Sequence, residues 1–154
     1  MKPILRVIIA AVFTLMLVSC ASETDLKKYV ESLQKSEYTD LADTGITMSL
    51  KDEAVTTKTE SLTIEYANAT DIEYVFGKEP HMEIASDAGW YVIPIDEDAG
   101  WEDIGFILPP HGTSEKDFPL GYYYTGLMPG HYRIIKTFYA DGNRVAAAVE
   151  FDIQ

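Results

Sequence analysis

Few side chains in this sequence are of a type and spacing to do chemistry. Cys20 is the only cysteine. It can form no disulfide within the chain and belongs to no Cys-x-x-Cys redox pair. His81, His111 and His131 each sit beside a proline or glycine turn, and none has a partner at His-x-x-x-His spacing. Surface loops are their expected place. Asp96, Glu97, Asp98, Glu102 and Asp103 crowd around Gly100 and Trp101. Calcium takes clustered oxygen ligands, so Asp96, Asp98, Glu102 and Asp103 are candidate ligands, although the Asp-x-Asp-x-Asp-Gly pattern is absent. The plainer reading of such a run is a solvated face. Trp90, Trp101 and Tyr122-Tyr123-Tyr124 are the aromatic binding candidates, able to stack on a sugar or to anchor a protein partner. Core packing is the alternative for Trp90, and loop packing for the others. Three consecutive tyrosines in a strand cannot all point one way, so at least one is expected on the surface. No Gly-x-Ser-x-Gly, redox cysteine pair or phosphate loop occurs, so no catalytic residue is assigned and no enzyme is expected.

The surroundings of Cys20 carry more information than the thiol. Lys2 and Arg6 precede an apolar-to-small stretch from Val7 to Val18. That stretch holds about a dozen residues, short of the ~20 that span a bilayer. A charged start, a short apolar centre and small residues at a cut site predict a signal peptide over residues 1–19. Leu17-Val18-Ser19-Cys20 resembles the lipobox of bacterial lipoproteins. The resemblance implies that Cys20 becomes the first residue of the mature chain and carries a covalent diacylglycerol. Two acyl chains anchor stably where one binds marginally. The expected location is the extracytoplasmic face of the cell membrane, with the lipid anchor as the membrane contact and no other cofactor.

Charge narrows the partners. The chain has 12 Lys and Arg against 25 Asp and Glu, a formal net charge of −13. Lys2 and Arg6 lie before Cys20 and every acid lies after it, so the mature chain is more negative still. A polyanion is repelled by nucleic acid, which excludes that class of partner.

The elements that must position these residues follow from hydrophobic period. In residues 20–44, Leu26, Tyr29, Val30 and Leu33 recur at i, i+3, i+4 and i+7, which predicts a short amphipathic helix from Asp25 to Lys35, followed by polar linker. From Gly45 the period changes to two. Ile46, Met48 and Leu50 alternate with polar residues, as do Leu62, Ile64 and Tyr66, then Ile72, Tyr74 and Phe76, then Val145 through Ile153. Such alternation marks strands with one face on a core. Turn clusters separate them at Asn68 to Asp71, Asp87-Ala88-Gly89, Pro109 to Gly112, Pro129-Gly130 and Asp141-Gly142-Asn143. Many short strands punctuated this way predict an antiparallel sandwich. One position resists. If Tyr132, Ile134 and Phe138 face inward, Lys136 does too, unless a bulge resets the register or its head reaches water at a sheet end.

The approach Leu127-Met128-Pro129-Gly130-His131-Tyr132 resembles the tyrosine corner of immunoglobulin-like sandwiches, whose ring packs under a loop while its hydroxyl bonds upstream backbone. The stretches Ile46 to Leu50, Ser61 to Asn68, Trp90 to Pro94, Ile104 to Pro109 and Pro129 to Ile134, in that order, resemble the bacterial immunoglobulin-like domain of Gram-positive lipoproteins. That resemblance implies an all-β, immunoglobulin-like antiparallel β-sandwich of about seven strands over residues 45–154. It brings no catalytic residues. It implies a non-catalytic binding or structural role in the envelope, with an envelope protein or cell-wall component as partner. Two alternatives stand beside it. A protease inhibitor would offer the loops Asp96 to Asp103 and Tyr122 to Met128. A small-molecule or sugar sensor would need a concave apolar pocket.

Overall fold

The computed structural model describes residues 24–39 and 41–154. The expected signal peptide and Cys20 lie outside the described residues. The chain divides into two compact units, Met1–Leu33 and Gln34–Gln154. In the first, residues 24–31 form helix α1, which stops short of the predicted Lys35. Ser32 accounts for the early stop. Its Oγ donates to the Tyr29 carbonyl at 2.6 Å, and the N–H groups of Ser32 and Leu33 close tight turns on Tyr29 and Val30. A hydroxyl that takes up a terminal carbonyl competes with continued helix.

In the second unit the predicted alternation becomes strands. They are β1 (Gln34–Lys35), β2 (Ile46–Leu50), β3 (Leu62–Asn68), β4 (Tyr74–Gly77), β5 (Met82–Ser86), β6 (Gly89–Val92), β7 (Gly105–Leu108), β8 (Thr113–Phe118), β9 (Gly130–Ala140) and β10 (Asn143–Ile153), with a four-residue helix α2 (Leu120–Tyr123) before β9. Strands β2, β3 and β8 make a small antiparallel sheet. The large sheet runs β1-β6-β5-β9-β4-β7, and β10 lies along the other side of β9. Gln34 and Lys35, which the sequence places at the helix end, pair with Val92 and Tyr91 of β6.

The inward set is close to the expected one. Ile46, Met48, Leu62, Ile64 and Tyr66 of the small sheet and Tyr74, Phe76, Tyr132, Ile134, Phe138, Val149 and Phe151 of the large sheet are all buried. Tyr66, Phe76 and Phe138 cluster across the interface at centroid separations of 4.7 to 5.9 Å, the spacing of edge-on and tilted ring pairs. Ile72 departs from its predicted inward place and is exposed. Strand β4 begins two residues later, and the Ile72 carbonyl is taken by Asn68 Nδ2 at 2.7 Å inside the turn. Tyr132 Oη donates to the Met128 carbonyl at 2.7 Å, which is the tyrosine corner. Asp141 and Gly142 have φ of 47° and 78°, and they link Ala140 to its register partner Asn143 in a two-residue hairpin turn. Both central residues with positive φ define the tight turn whose twist matches the flanking strands.

Among the described residues there are ten strands where about seven are expected; β1 is a two-residue addition, and β4 and β5 are two parts of one long strand beside β9. Val75 pairs with Tyr139 and Met82 with Ile134. Seven residues separate the first members and five the second, so two extra residues are looped out between β4 and β5. This resolves Lys136. Strand β9 has no bulge against β10, pairing residue for residue along its length. The irregularity lies in its neighbour, and Lys136 is 5% exposed opposite the break. Its ammonium donates to the freed carbonyls of Gly77 (3.1 Å) and Glu79 (2.5 Å). Neither a reset of its own strand nor an exit to water is needed. Burial lowers its pKa to about 8, against a smaller opposing pull from Glu79.

Candidate binding face

The outer face of the large sheet, away from the core, is the most distinctive surface of the second unit. It has two halves. In one, Glu83 of β5 stands directly opposite Arg133 of β9. Nη2 and Nε of Arg133 reach Glu83 Oε2 at 2.6 and 2.7 Å. The other carboxylate oxygen accepts from Ser36 Oγ at 2.5 Å and bonds His81 Nε2 at 2.7 Å. An ionised carboxylate only accepts, so that histidine nitrogen carries the proton. Arg133 also donates to the Tyr38 carbonyl at 2.8 Å, and the Trp90 ring lies over its guanidinium at 4.3 Å. Glu83 and Arg133 are both buried. Burial pushes the Glu83 carboxyl up, but hydrogen bonds from His81, Ser36 and Arg133 outweigh it and hold the pKa below the usual carboxylate value.

This cluster contains a serine, a histidine and an acid, but in no nucleophile geometry. Ser36 and His81 both address the same oxygen of Glu83, so the histidine is not placed to take the serine proton. What the arrangement does is fasten residues 36–38 over the sheet. Trp90 is half-buried on this outer face, not between the sheets. His131 lies on β9 and not in a loop. It is held between Asp152 (2.7 Å) and Glu150 (3.0 Å), which raise its pKa in that order.

The other half is bare. Ile107 of β7 pairs with Val75 of β4, and Val75 with Tyr139 of β9. The three form one row across three strands, with 59%, 42% and 51% of their surfaces exposed. Beside the row the loop before β7 presents Trp101 and Ile104, both exposed. Val75, Trp101, Ile104 and Tyr139 line a groove of about 640 Å³, whose rim carries Glu37, Glu102, Asp103 and Arg144. An apolar strip with a charged rim is the composition of a protein-binding surface.

The aromatic candidates separate. Trp101 joins the bare half. Tyr122 is 54% exposed, while Tyr123 and Tyr124 are buried: α2 turns Tyr122 and Tyr123 to different sides, and Tyr124 follows in extended backbone. Tyr122 also braces the acidic loop, its hydroxyl accepting from the Gly100 N–H at 3.1 Å, and the Asp96 N–H donates to the Tyr123 carbonyl at 2.9 Å. The two loops considered for an inhibitor therefore meet. Asp96, Asp98, Glu102 and Asp103 do not converge: Glu102 pairs with Lys78 at 2.6 Å, and among the described residues no three acids, histidines or cysteines form a group that could hold a metal ion. The hydrogen bond from Lys78 lowers the Glu102 pKa. Val75, Ile107 and Tyr139 were not candidates in the sequence. Their one local signal is an apolar residue in the outward phase of a strand whose inward phase is already apolar.

Two sheets in this order, with the tyrosine corner at the start of β9, define an immunoglobulin-like sandwich. The family profile described as bacterial Ig-like domain matches residues 42–152, and the chain belongs to that family. The family is typically non-catalytic, and membership suggests an extracellular binding or structural role. Comparison with curated proteins gives no match. Among solved structures, the X-ray structure of a Northeast Structural Genomics Consortium target is similar at a TM-score of 0.41 and 16% identity, over 72% of this chain and 87% of that one, a likeness too remote to add to the fold.

Proposed function

We propose that this protein is a lipid-anchored module on the extracytoplasmic face of the membrane, and that it holds a protein partner of the envelope by the bare half of its large sheet. The observation that carries the reading is the row Ile107–Val75–Tyr139, exposed across three paired strands beside Trp101 and Ile104. Burying such a row against a partner gains about 25 cal/mol per Å² of apolar area, while the charged rim selects which partner. The anchor rests on Cys20 and the apolar leader before it. The role is binding, not catalysis.

A photo-crosslinking residue placed at Ile107 in intact cells tests the face, with Thr47 on the exposed side of β2 as the control position. Capture of one partner from Ile107 and not from Thr47, lost when Tyr139→Glu is added, supports the reading. Equal capture from both positions, or capture indifferent to Tyr139→Glu, removes it. Cys20→Ala tests the anchor separately: the protein is expected to leave the membrane fraction and to stop incorporating labelled acyl chains. Full membrane retention would defeat that part alone.

A further inference from the structure

The sandwich does not close fully on the side where β7 and β8 end the two sheets. A cavity of about 340 Å³ opens there. Its walls are rings: Tyr66 from β3, Phe76 from β4, Phe106 from β7, Phe118 from β8 and Tyr123 from α2. Among them stand three ammonium groups, Lys78, Lys116 and Lys136, against a single carboxylate, Asp117. In a chain of net charge −13 this is a local reversal of sign.

The three lysines are not equivalent. Lys78 is answered by Glu102. Lys116 lies over the Phe106 ring, 4.4 Å from its centroid, with no carboxylate in ion-pair range among the described residues. Asp117 accepts from Thr63 Oγ1 at 3.2 Å. Lys136 is the telling one. An ammonium has three donors, and two of its N–H groups go to the carbonyls of Gly77 and Glu79. No carboxylate lies in ion-pair range of it among the described residues, the charge of Glu79 acting only from further off, and it is buried. A buried cation without a counter-charge is costly. Burial has already lowered its pKa to about 8, which leaves it charged at neutral pH and lining the cavity.

We propose that this cavity binds a small monocarboxylate with an apolar body, the body between the aromatic walls and the carboxylate on Lys136, with Lys116 adding to the positive field. Size agrees, since a dry cavity of about 150 Å³ already accepts benzene, leaving room here for a ring or short chain bearing an acid. Charge agrees too. A buried cation with no ion-pair partner among the described residues favours one negative charge, whereas a neutral sugar would leave Lys136 as it is. Phe76, Gly77, Lys78 and Lys136 also line the groove of the outer face, so the two sites adjoin, and titration of the isolated protein reads the cavity with no partner present.

The test is calorimetric titration of the full chain in nonionic detergent, with the detergent alone as blank. Phenylacetate and hexanoate are the probes, and phenylacetamide is the neutral comparator. One of the two acids is expected to bind at a single site with a sub-millimolar Kd, and the tighter of them shows whether ring or chain fits. The amide is expected to bind at least ~10-fold more weakly, and Lys136→Met to lose a similar factor for the acid. Should Lys136→Met fail to fold, Lys116→Gln on the half-exposed lysine decides, with an expected loss of about 3- to 10-fold. Backbone resonances of Phe106 and Tyr123 are expected to shift on saturation. No saturable binding by either acid up to about 10 mM, equal binding of the amide, no loss in Lys116→Gln, or shifts confined to residues outside the cavity would each overturn the proposal.

Discussion

The two halves of the large sheet's outer face meet on strand β9 and end in opposite states. Around Glu83 and Arg133 the face is polar and covered: residues 36–38 lie over it, held by Ser36 Oγ and the Tyr38 carbonyl. Around Val75, Ile107 and Tyr139 it is apolar and open. The usual expectation runs the other way, with apolar groups hidden and charges in water. The buried pair is tolerable because both Glu83 oxygens accept hydrogen bonds and Arg133 Nε and Nη2 donate them, and removing one partner exposes the cost of the rest. The open row has no such internal justification. Under the proposed function, the cover lies where the buried charges need it and the strip is left for a partner.

The strongest way to break this contrast is Arg133→Ala. It leaves Glu83 buried and unpaired, and is expected to cost about 3–5 kcal/mol by denaturant unfolding. Replacing both partners, Glu83→Leu with Arg133→Met, is expected to recover most of that loss, because two apolar groups of similar volume need no partners. If the double variant is as unstable as the single one, the covered half is not an ion-pair clasp.

Acid provides a second, graded test. Folding holds Glu83 below the ordinary carboxyl value of 4.5. Just below that pH the unfolded chain binds more protons than the native state, so the stabilisation is present above 4.5 and lost as pH falls through the folded value. The urea midpoint of the wild type is expected to fall more steeply below that pH than the midpoint of Glu83→Gln. Parallel slopes would assign the acid sensitivity to other carboxylates.

Ser36→Ala is a smaller perturbation. It removes one hydrogen bond to a charged acceptor and is expected to cost about 1–2 kcal/mol. Amide exchange is expected to rise at Tyr38, whose N–H is held by Ser36 Oγ at 2.9 Å. In the bare half the effect on stability is expected to be least. Val75→Thr, Ile107→Thr and Tyr139→Thr should each stay within about 0.5 kcal/mol of wild type, as for surface positions generally, while Val75→Thr and Tyr139→Thr lose partner crosslinking from position 107. A large stability loss from Ile107→Thr would show the row to be structural.

Of the candidate site, local pattern revealed the members but not the grouping. The run of tyrosines requires at least one exposed ring without naming it, and Trp101 is a binding candidate with loop packing as its alternative. Tyr123, in α2, and Tyr124, in the extended residue after it, are buried, which leaves Tyr122 as the exposed one. Glu83 and Arg133 read as ordinary surface charges in strands, since nothing near either one in sequence announces a partner 50 residues away. The break between β4 and β5 is likewise invisible locally. Gly77 to His81 reads as a turn, and only pairing of both flanks with β9 shows it to be an interruption in one long strand.

What the sequence by itself determined is the part set by neighbours: period-two alternation that makes strands, the Asp141-Gly142 turn that joins β9 to β10, and the tyrosine corner at Tyr132, whose hydrogen bond spans only four residues. Tertiary structure alone decided the register between distant strands. That register sets Glu83 against Arg133, aligns Ile107, Val75 and Tyr139 in one row, and leaves Lys136 facing a gap. The physical reason is that side-chain direction within a strand follows from the local backbone, while which residue lies opposite depends on loop lengths and breaks summed over the whole chain.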